Sequence, residues 1–158
     1  MLIPIGDDNV GRETTPYINY LLIAINIVVF LIELSQGPNF INGYACIPYE
    51  ITHNIDLIKP IPFRGVPGGF IPEAPGPSPI YLTLITSMFM HGGWLHIGGN
   101  MLYLWIFGDN VEDNFGHLKY LIFYLLCGFA AAFAQIALDP NTPVPSLGAS
   151  GEIGRAHV

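Results

Sequence analysis

Two residues with side chains suited to hydrolytic chemistry lie four positions apart in an apolar stretch. His96 and Asn100 project from one face of a helix, because residues four apart are separated by about one turn. An imidazole and a carboxamide aimed at one small space can donate hydrogen bonds to a developing oxyanion. Gly98 and Gly99 lie between them and leave room for the close approach of another backbone. The alternative is a polar clamp between two helices.

A third candidate is Ser150, in the segment Gly148-Ala149-Ser150-Gly151. The small neighbours leave its hydroxyl unobstructed, and a helix that starts here points free backbone N–H groups into the same space. These features suit a nucleophile, although a serine at a helix start is more often an N-cap. A serine nucleophile also needs an adjacent base.

The remaining histidines do not predict a metal site. His91 lies five residues before His96, whereas helical zinc ligands favour a spacing of four residues. We expect His91 to anchor a long loop against the top of the second membrane span. His157 follows Ser150 by about two helical turns, roughly 10 Å along the axis, which is too far for a base.

The composition places the chain among membrane proteins. Of its 158 residues 51% are hydrophobic and 11% are charged, whereas soluble domains carry about 25% charged residues. The net charge is −7 and the five Lys and Arg residues are scattered, so no basic surface for nucleic acid is predicted. No metal or organic cofactor is implied.

The hydrophobic blocks predict an all-α polytopic fold with three transmembrane helices and the start of a fourth. A long connection rich in proline and glycine, residues 35–79, cannot form one helix or a regular sheet. Residues 80–91 should dip toward the membrane surface. The predicted domains are a polar N-terminal segment at 1–16 and a transmembrane domain at 17–151, with spans at about 17–34, 93–112 and 118–138 and a fourth that starts near 148.

The first span carries polar residues that should point away from lipid. Asn19, Asn26 and Glu33 are spaced seven apart and share one helical stripe, and polar groups in hydrocarbon need partners. The predicted orientation of the chain in the membrane rests on two charges, Arg12 and Lys119. They place the N-terminus and the turn after the second span in the cytoplasm, which predicts a multi-pass protein, as in a bacterial inner membrane.

Three motifs together resemble the rhomboid family of intramembrane serine proteases over residues 15–151. They are His91-x4-His96-x3-Asn100, Gly108-x3-Glu112-x3-Gly116 and Gly148-Ala149-Ser150-Gly151.

The resemblance implies a rhomboid-like helical bundle with six spans and a role for each matching residue. Ser150 would be the nucleophile of a Ser–His dyad. The oxyanion hole would consist of His96, Asn100 and the backbone N–H of Ser150. A structural role is implied for His91, Glu112, Gly116, Gly148 and Gly151. The family takes the dyad histidine from the sixth span, which nothing in these 158 residues matches.

The implied activity is cleavage of transmembrane segments of membrane proteins. The partners would be transmembrane protein substrates and the lipid bilayer, and this fragment, without the dyad histidine, should be inactive. One alternative is a non-catalytic relative that binds client transmembrane helices, which loss of the serine would favour. Another is an unrelated structural or transport module, which paired half-repeats would favour, and none are seen.

We interpret residues 152–158, EIGRAHV, as a non-native tail. They back-translate to GAGATCGGAAGAGCACACGTC, which from its second base matches a widely used short-read sequencing adapter. The family usually continues with a small-residue apolar helix here, whereas this tail carries two charges.

Overall fold

A computed structural model describes residues 14–62 and 68–147. The described chain is mostly helical, as the predicted all-α class requires, with one pair of two-residue strands. The helices are α1 (Tyr17–Gln36), α2 (Pro38–Tyr44), α3 (Pro48–His53), α4 (Thr83–Thr86), α5 (Trp94–Tyr103), α6 (Asp109–Phe115) and α7 (His117–Leu138). The strands are β1 (Ile61–Pro62) and β2 (Phe70–Ile71), and 3-10 turns flank α4 at Ile80–Leu82 and Ser87–Phe89.

Helices α1 and α7 are long and apolar enough to cross a bilayer. They contain 20 and 22 residues, and about 20 residues span the hydrocarbon core. Only 28% of the most apolar window of α1 and none of that of α7 is buried. Core helices of a soluble protein would hide these windows, so the exposed apolar faces indicate contact with lipid.

The polar stripe on α1 faces the protein interior, which confirms the prediction. Asn19, Asn26 and Glu33 are 0%, 1% and 2% exposed. The Asn26 amide donates to the Leu22 carbonyl at 2.7 Å. The stripe therefore lies on the side of α1 that packs against the other helices.

The predicted second span is a run of three helical segments without a gap. A π-helical segment, Leu104–Gly108, joins α5 to α6, and the helical backbone continues to Phe115, beyond the expected end at 112. A π-helical turn lets carbonyls leave the regular ladder, and here Asn19 Nδ2 donates to the Leu104 carbonyl at 2.8 Å. That the run crosses the membrane stays a prediction.

Glycine and proline residues end and start the short helices of the connection at 35–79, as expected from its sequence. Gly37, at φ 74°, ends α1 by donating to the Glu33 carbonyl at 2.9 Å, and Pro38 starts α2. Pro48 starts α3, and Asn54 ends it in the left-handed conformation. β1 and β2 pair antiparallel, with Ile61 opposite Ile71 and Pro62 opposite Phe70.

The connection packs against the C-terminal half of α7. Cys46, Leu84 and Ile136 form a buried apolar cluster, against which Ile51 and Phe129 pack. The cluster joins α3, α4 and α7 and so holds the connection at one end of the bundle. This end is called the His96 end below, and the opposite one, where α1 begins, is called the Glu112 end.

Candidate active site

His96 and Asn100 lie one turn apart on α5, as the spacing predicts. His96 is half-buried and Asn100 is exposed. The Gly92 N–H donates to Nδ1 of His96 at 3.2 Å. An imidazole that accepts at Nδ1 carries its proton at Nε2 when neutral. The ring is therefore in the tautomer that donates from Nε2, as stabilisation of an oxyanion requires.

His91 is buried, with 3% of its surface exposed, and contacts α1. Its backbone N–H donates to both carboxylate oxygens of Glu33, at 3.1 and 3.3 Å. Its ring lies edge-on to Phe30 and 5.1 Å from the ring of His96, between centroids. These contacts join His91 to the last turn of α1, and the expected anchoring of the long connection against the second span stays a prediction.

A cavity of about 420 Å³ lies between α5, the π-helical segment and α7, and it extends from the segment around His91 to Gly108 and Tyr120 at the Glu112 end. Its lining includes His91, Asn100 and Ser146, together with Asn26 of α1. Small-molecule sites commonly occupy cavities of about 300–1,000 Å³. This one brings the polar face of α5 and the end of the described chain into one space.

The segment after α7 runs beside His96. Ser146 pairs with Cys46 in an antiparallel bridge, with N–H to O distances of 2.8 and 3.2 Å. Leu147 Cδ1 and His96 Nδ1 each lie 3.9 Å from the position that a Cβ would take on Gly92. Leu147 and the His96 ring therefore both lie beside Gly92.

Three of the predicted site residues, Gly148, Ser150 and Gly151, lie outside the described residues. The close backbone contact predicted at Gly98 and Gly99 is not made within the described chain. A Cβ built at either glycine meets no described atom within 4 Å. The described residues therefore leave the glycine face of α5 open.

The predicted structural residues Glu112 and Gly116 lie at the Glu112 end. Glu112 is fully buried, and its carboxylate accepts the backbone N–H of Ile18 at 2.9 Å and of Asn19 at 2.7 Å. These groups in the first turn of α1 have no partner within their own helix, and a carboxylate there also complements the helix dipole. His117 Nδ1 contacts the same carboxylate.

Gly116 forms the corner between α6 and α7. Its φ is 77°, a conformation that side-chain-bearing residues rarely adopt. Its N–H donates to the Glu112 carbonyl at 2.7 Å, and its own carbonyl accepts from Tyr120. The corner joins α6 to α7 beside the contact between Glu112 and His117.

Two contacts at the Glu112 end were not predicted from the sequence. The Tyr120 hydroxyl donates to Oδ1 of Asn19 at 2.9 Å. Gly108 lies so close to both side chains that a Cβ would overlap Asn19 and the Tyr120 hydroxyl. The spacing of Gly108, Glu112 and Gly116 was the signal for this close packing, but it did not identify the tyrosine.

Within residues 14–62 and 68–147, no group of three or more His, Cys, Asp or Glu side chains could hold a metal ion. The polar groups around the cavity are instead hydrogen-bond donors and amides. Such an arrangement can stabilise negative charge on a bound carbonyl oxygen.

Comparison with known proteins identifies the family. The Rhomboid domain model matches residues 79–154, which include all three motifs. The chain is 28% identical over 145 residues to Rhomboid protease GluP of Bacillus subtilis (strain 168), covering 91% of this chain and 24% of that protein. This match places residues 79–154 in the rhomboid family. Rhomboid proteins are integral membrane proteins, and this chain has the apolar helices that such a protein needs.

The rhomboid relatives include proteins named as proteases and one named as inactive. Rhomboid-type serine protease 2 of Emericella nidulans is 36% identical over 70 residues, covering 42% of this chain and 14% of that protein. Inactive rhomboid protein 1 of Drosophila melanogaster is 32% identical over 72 residues, covering 44% of this chain and 5% of that protein. The chain thus spans about a quarter or less of these relatives' lengths. No solved structure gives a significant match.

Proposed function

We propose that the full-length protein is an intramembrane serine endopeptidase that cleaves transmembrane segments of membrane proteins. Ser150 is the proposed nucleophile, and His96, Asn100 and the Ser150 backbone N–H are the proposed oxyanion donors. Gly148 and Gly151 keep the surroundings of the nucleophile open. The dyad histidine is expected on a later span, beyond these 158 residues.

The observation that carries the proposal is the path of the chain toward Ser150. Leu147 and the His96 ring both lie beside Gly92, and Ser146 lines the same cavity as Asn100. Ser150 follows Leu147 by three positions, and three residues of extended chain span at most about 10 Å. The chain after Leu147 is therefore long enough for the Ser150 hydroxyl to reach the polar face of α5.

The open glycine face of α5 supports a fourth span at this position. Gly98 and Gly99 offer room for a backbone, and the described residues leave that room unfilled. Small residues let helices approach closely inside a membrane. A helix that begins near Gly148 fits against this face, and its first N–H groups would point toward the space beside Asn100.

The proposed chemistry follows from this arrangement. The Ser150 Oγ attacks the carbonyl carbon of the scissile bond while the dyad histidine takes the hydroxyl proton. The negative charge on the carbonyl oxygen receives hydrogen bonds from His96 and Asn100. The C–N bond then breaks, the histidine returns its proton to the leaving amine, and water hydrolyses the acyl-enzyme.

The proposed topology has three spans and the start of a fourth, in a bacterial inner membrane with a cytoplasmic N-terminus. Thr14, just before α1, donates twice to the Asp113 carboxylate at 2.7 Å. The start of α1 and the end of α6 are thus neighbours, as the positions of Arg12 and Lys119 require if both flank the cytoplasmic face. The site then lies toward the outer face.

The test uses the complete protein encoded at the source locus, reconstituted with a model transmembrane substrate. Ser150→Ala should abolish cleavage, because an alanine cannot form the acyl-enzyme. Ser146→Ala is the matched control, since its backbone bridge to Cys46 does not need the hydroxyl. Turnover that survives Ser150→Ala would refute the nucleophile assignment.

The same locus tests the proposed tail. Its codons after Gly151 should encode a small-residue apolar helix in place of EIGRAHV. A genomic reading frame that encodes EIGRAHV and then stops would show that these residues are native.

A second candidate function is a non-catalytic protein that binds client transmembrane helices. The similarity to Inactive rhomboid protein 1 favours it. The two candidate functions differ in whether the bound transmembrane protein is cleaved or remains intact. Co-purification of uncut client with both the parent protein and Ser150→Ala, without any cleavage, would favour the binding function.

A further inference from the structure

Two glutamates in the connection at 35–79 are buried, and neither forms an ion pair with a side chain in the described ranges. Glu50 of α3 is 2% exposed, and one of its carboxylate oxygens accepts the Leu57 N–H at 2.7 Å. Glu73 is 7% exposed, and neither of its carboxylate oxygens has a hydrogen-bond partner among the described residues. Buried carboxylates normally have partners, because an unpaired buried charge is costly. The burial of Glu73 is therefore not explained by its contacts with the described residues.

The groups that face these carboxylates disfavour negative charge. Burial and the nearby Glu50 raise the pKa of Glu73 to about 8. Burial also raises the pKa of Glu50 to about 7, with a further contribution from Asp56. The Cys46 thiol lies near Glu50, and burial raises its pKa to about 12, so it stays neutral. Among residues 14–62 and 68–147, the groups that act on these carboxylates are acidic or neutral and supply no counter-charge.

The glutamates lie beside the contacts that hold the chain leading to Ser150. Tyr49 donates its N–H to the Thr142 carbonyl at 3.1 Å, and Thr52 donates its hydroxyl to the Pro140 carbonyl at 2.8 Å. With the Cys46–Ser146 bridge, these contacts join residues 46–52 to residues 140–146. This set is called the outer clamp. Glu50 lies within the first of its two segments.

The backbone of residues 73–76, which carries Glu73, is held by contacts with Gly43 and Asp56. Gly43 packs against the Pro75 carbonyl so closely that a Cβ would overlap it. The Gly76 N–H donates to the exposed Asp56 carboxylate at 3.1 and 3.2 Å. These contacts hold the backbone that follows Glu73, so we expect a charge on Glu73 to act on the fold of the connection.

We propose that Glu50 and Glu73 together retain a proton at neutral pH, and that its loss at alkaline pH loosens the outer clamp. The pair would then make the position of the segment before Ser150 depend on pH. The consequence for catalysis rests on the proposed function, whereas the change in the clamp does not. Regulation would act on the outer face, where the connection lies.

The direction in which the stability of the closed clamp changes with pH follows from proton linkage. The closed clamp holds its carboxyl protons more tightly than an open, solvated connection, whose glutamates titrate near their ordinary pKa of 4.5. Stability of the closed form is therefore greatest at low pH and falls as pH rises from about 4.5 through about 8. Above that range both carboxylates are ionised in either state, and the dependence levels off.

The experiment measures amide hydrogen exchange of the full chain in detergent micelles at pH 6 and pH 9, without substrate. The reporters are the clamp amides of Cys46, Tyr49 and Ser146. After correction for intrinsic exchange, their protection should fall by tenfold or more at pH 9, since one pKa unit corresponds to about a factor of ten. Glu73→Gln removes one of the two ionisable groups and should reduce this difference, and the double variant Glu50→Gln/Glu73→Gln should abolish it.

Asp139→Asn is the matched control, because it removes an exposed carboxylate next to the clamp and should keep the pH response. If Glu73→Gln does not fold, Glu50→Gln tests the same pair. Equal wild-type protection at both pH values overturns the inference, as does a response unchanged by the variants. Exchange is read without substrate, so loss of the protease assignment leaves this result standing.

Discussion

The two ends of the helical bundle treat their polar groups in opposite ways. At the Glu112 end, the carboxylate of Glu112 accepts two N–H groups of α1, and Asn19 bonds both the π-helical segment and Tyr120. At the His96 end, Asn100 is exposed and lines a cavity, and His96 is half-buried. Polar groups are costly in a membrane unless they are partnered. The Glu112 end pairs its buried polar groups with one another, whereas the His96 end leaves the Asn100 side chain exposed, where the proposed oxyanion site would need it.

The largest expected effect is at the His96 end. In the complete protein, His96→Ala should lower kcat by about 10²–10³-fold, the usual effect of removing one oxyanion donor. Stability should change little, because His96 is only half-buried. The measurement is single-turnover cleavage of a model transmembrane substrate, alongside thermal unfolding. A variant that keeps full turnover would remove His96 from the site.

The second effect compares the same substitution at both ends. Glu112→Gln replaces one of the two carboxylate oxygens, each of which accepts a backbone N–H, by an NH₂ group that cannot accept. The free energy of unfolding should fall by about 2–3 kcal/mol, since hydrogen bonds to charged groups contribute about 1.5–3 kcal/mol. Glu33→Gln retains an acceptor for the single donor, the His91 N–H, so its cost should stay below about 1 kcal/mol.

Equilibrium unfolding in mixed micelles, followed by circular dichroism, measures both variants of this pair. The two ends would not differ as described if Glu33→Gln proved as destabilising as Glu112→Gln. A loss of substrate cleavage without a loss of stability in Glu112→Gln would also contradict its structural role.

Much of the bundle could be predicted from periodicity and composition. Asn19, Asn26 and Glu33 recur every seven residues, and the structure buries all three. The four-residue spacing of His96 and Asn100 placed them on one face, and the structure lines a cavity with Asn100. Local rules suffice for such features because a helix fixes which residues share a face.

Contacts between distant segments could not be predicted in this way. The Cys46–Ser146 bridge joins residues 100 positions apart, and neither residue type indicates a partner. The π-helical segment after α5 is accompanied by a hydrogen bond from the Asn19 amide of α1 to the Leu104 carbonyl. These two residues are far apart in the sequence. The expected close packing at Gly98 and Gly99 is not made by any described neighbour, since glycine permits an approach without specifying what approaches.

The smallest expected effect isolates one hydrogen bond at the Glu112 end. Tyr120→Phe removes the hydroxyl that donates to Asn19 and should lower stability by about 1 kcal/mol, the usual contribution of a neutral hydrogen bond. Tyr20→Phe is the control, because Tyr20 is exposed on the same helix as Asn19 and should change stability by less than about 0.5 kcal/mol.

Unfolding of both tyrosine variants is measured under the conditions used for Glu112→Gln. Equal, negligible losses would mean that the Glu112 carboxylate alone secures this end. A loss at Tyr120 near that of Glu112→Gln would instead mean that the hydroxyl, Asn19 and the π-helical segment act as one cooperative network, in which removing any member exposes the rest.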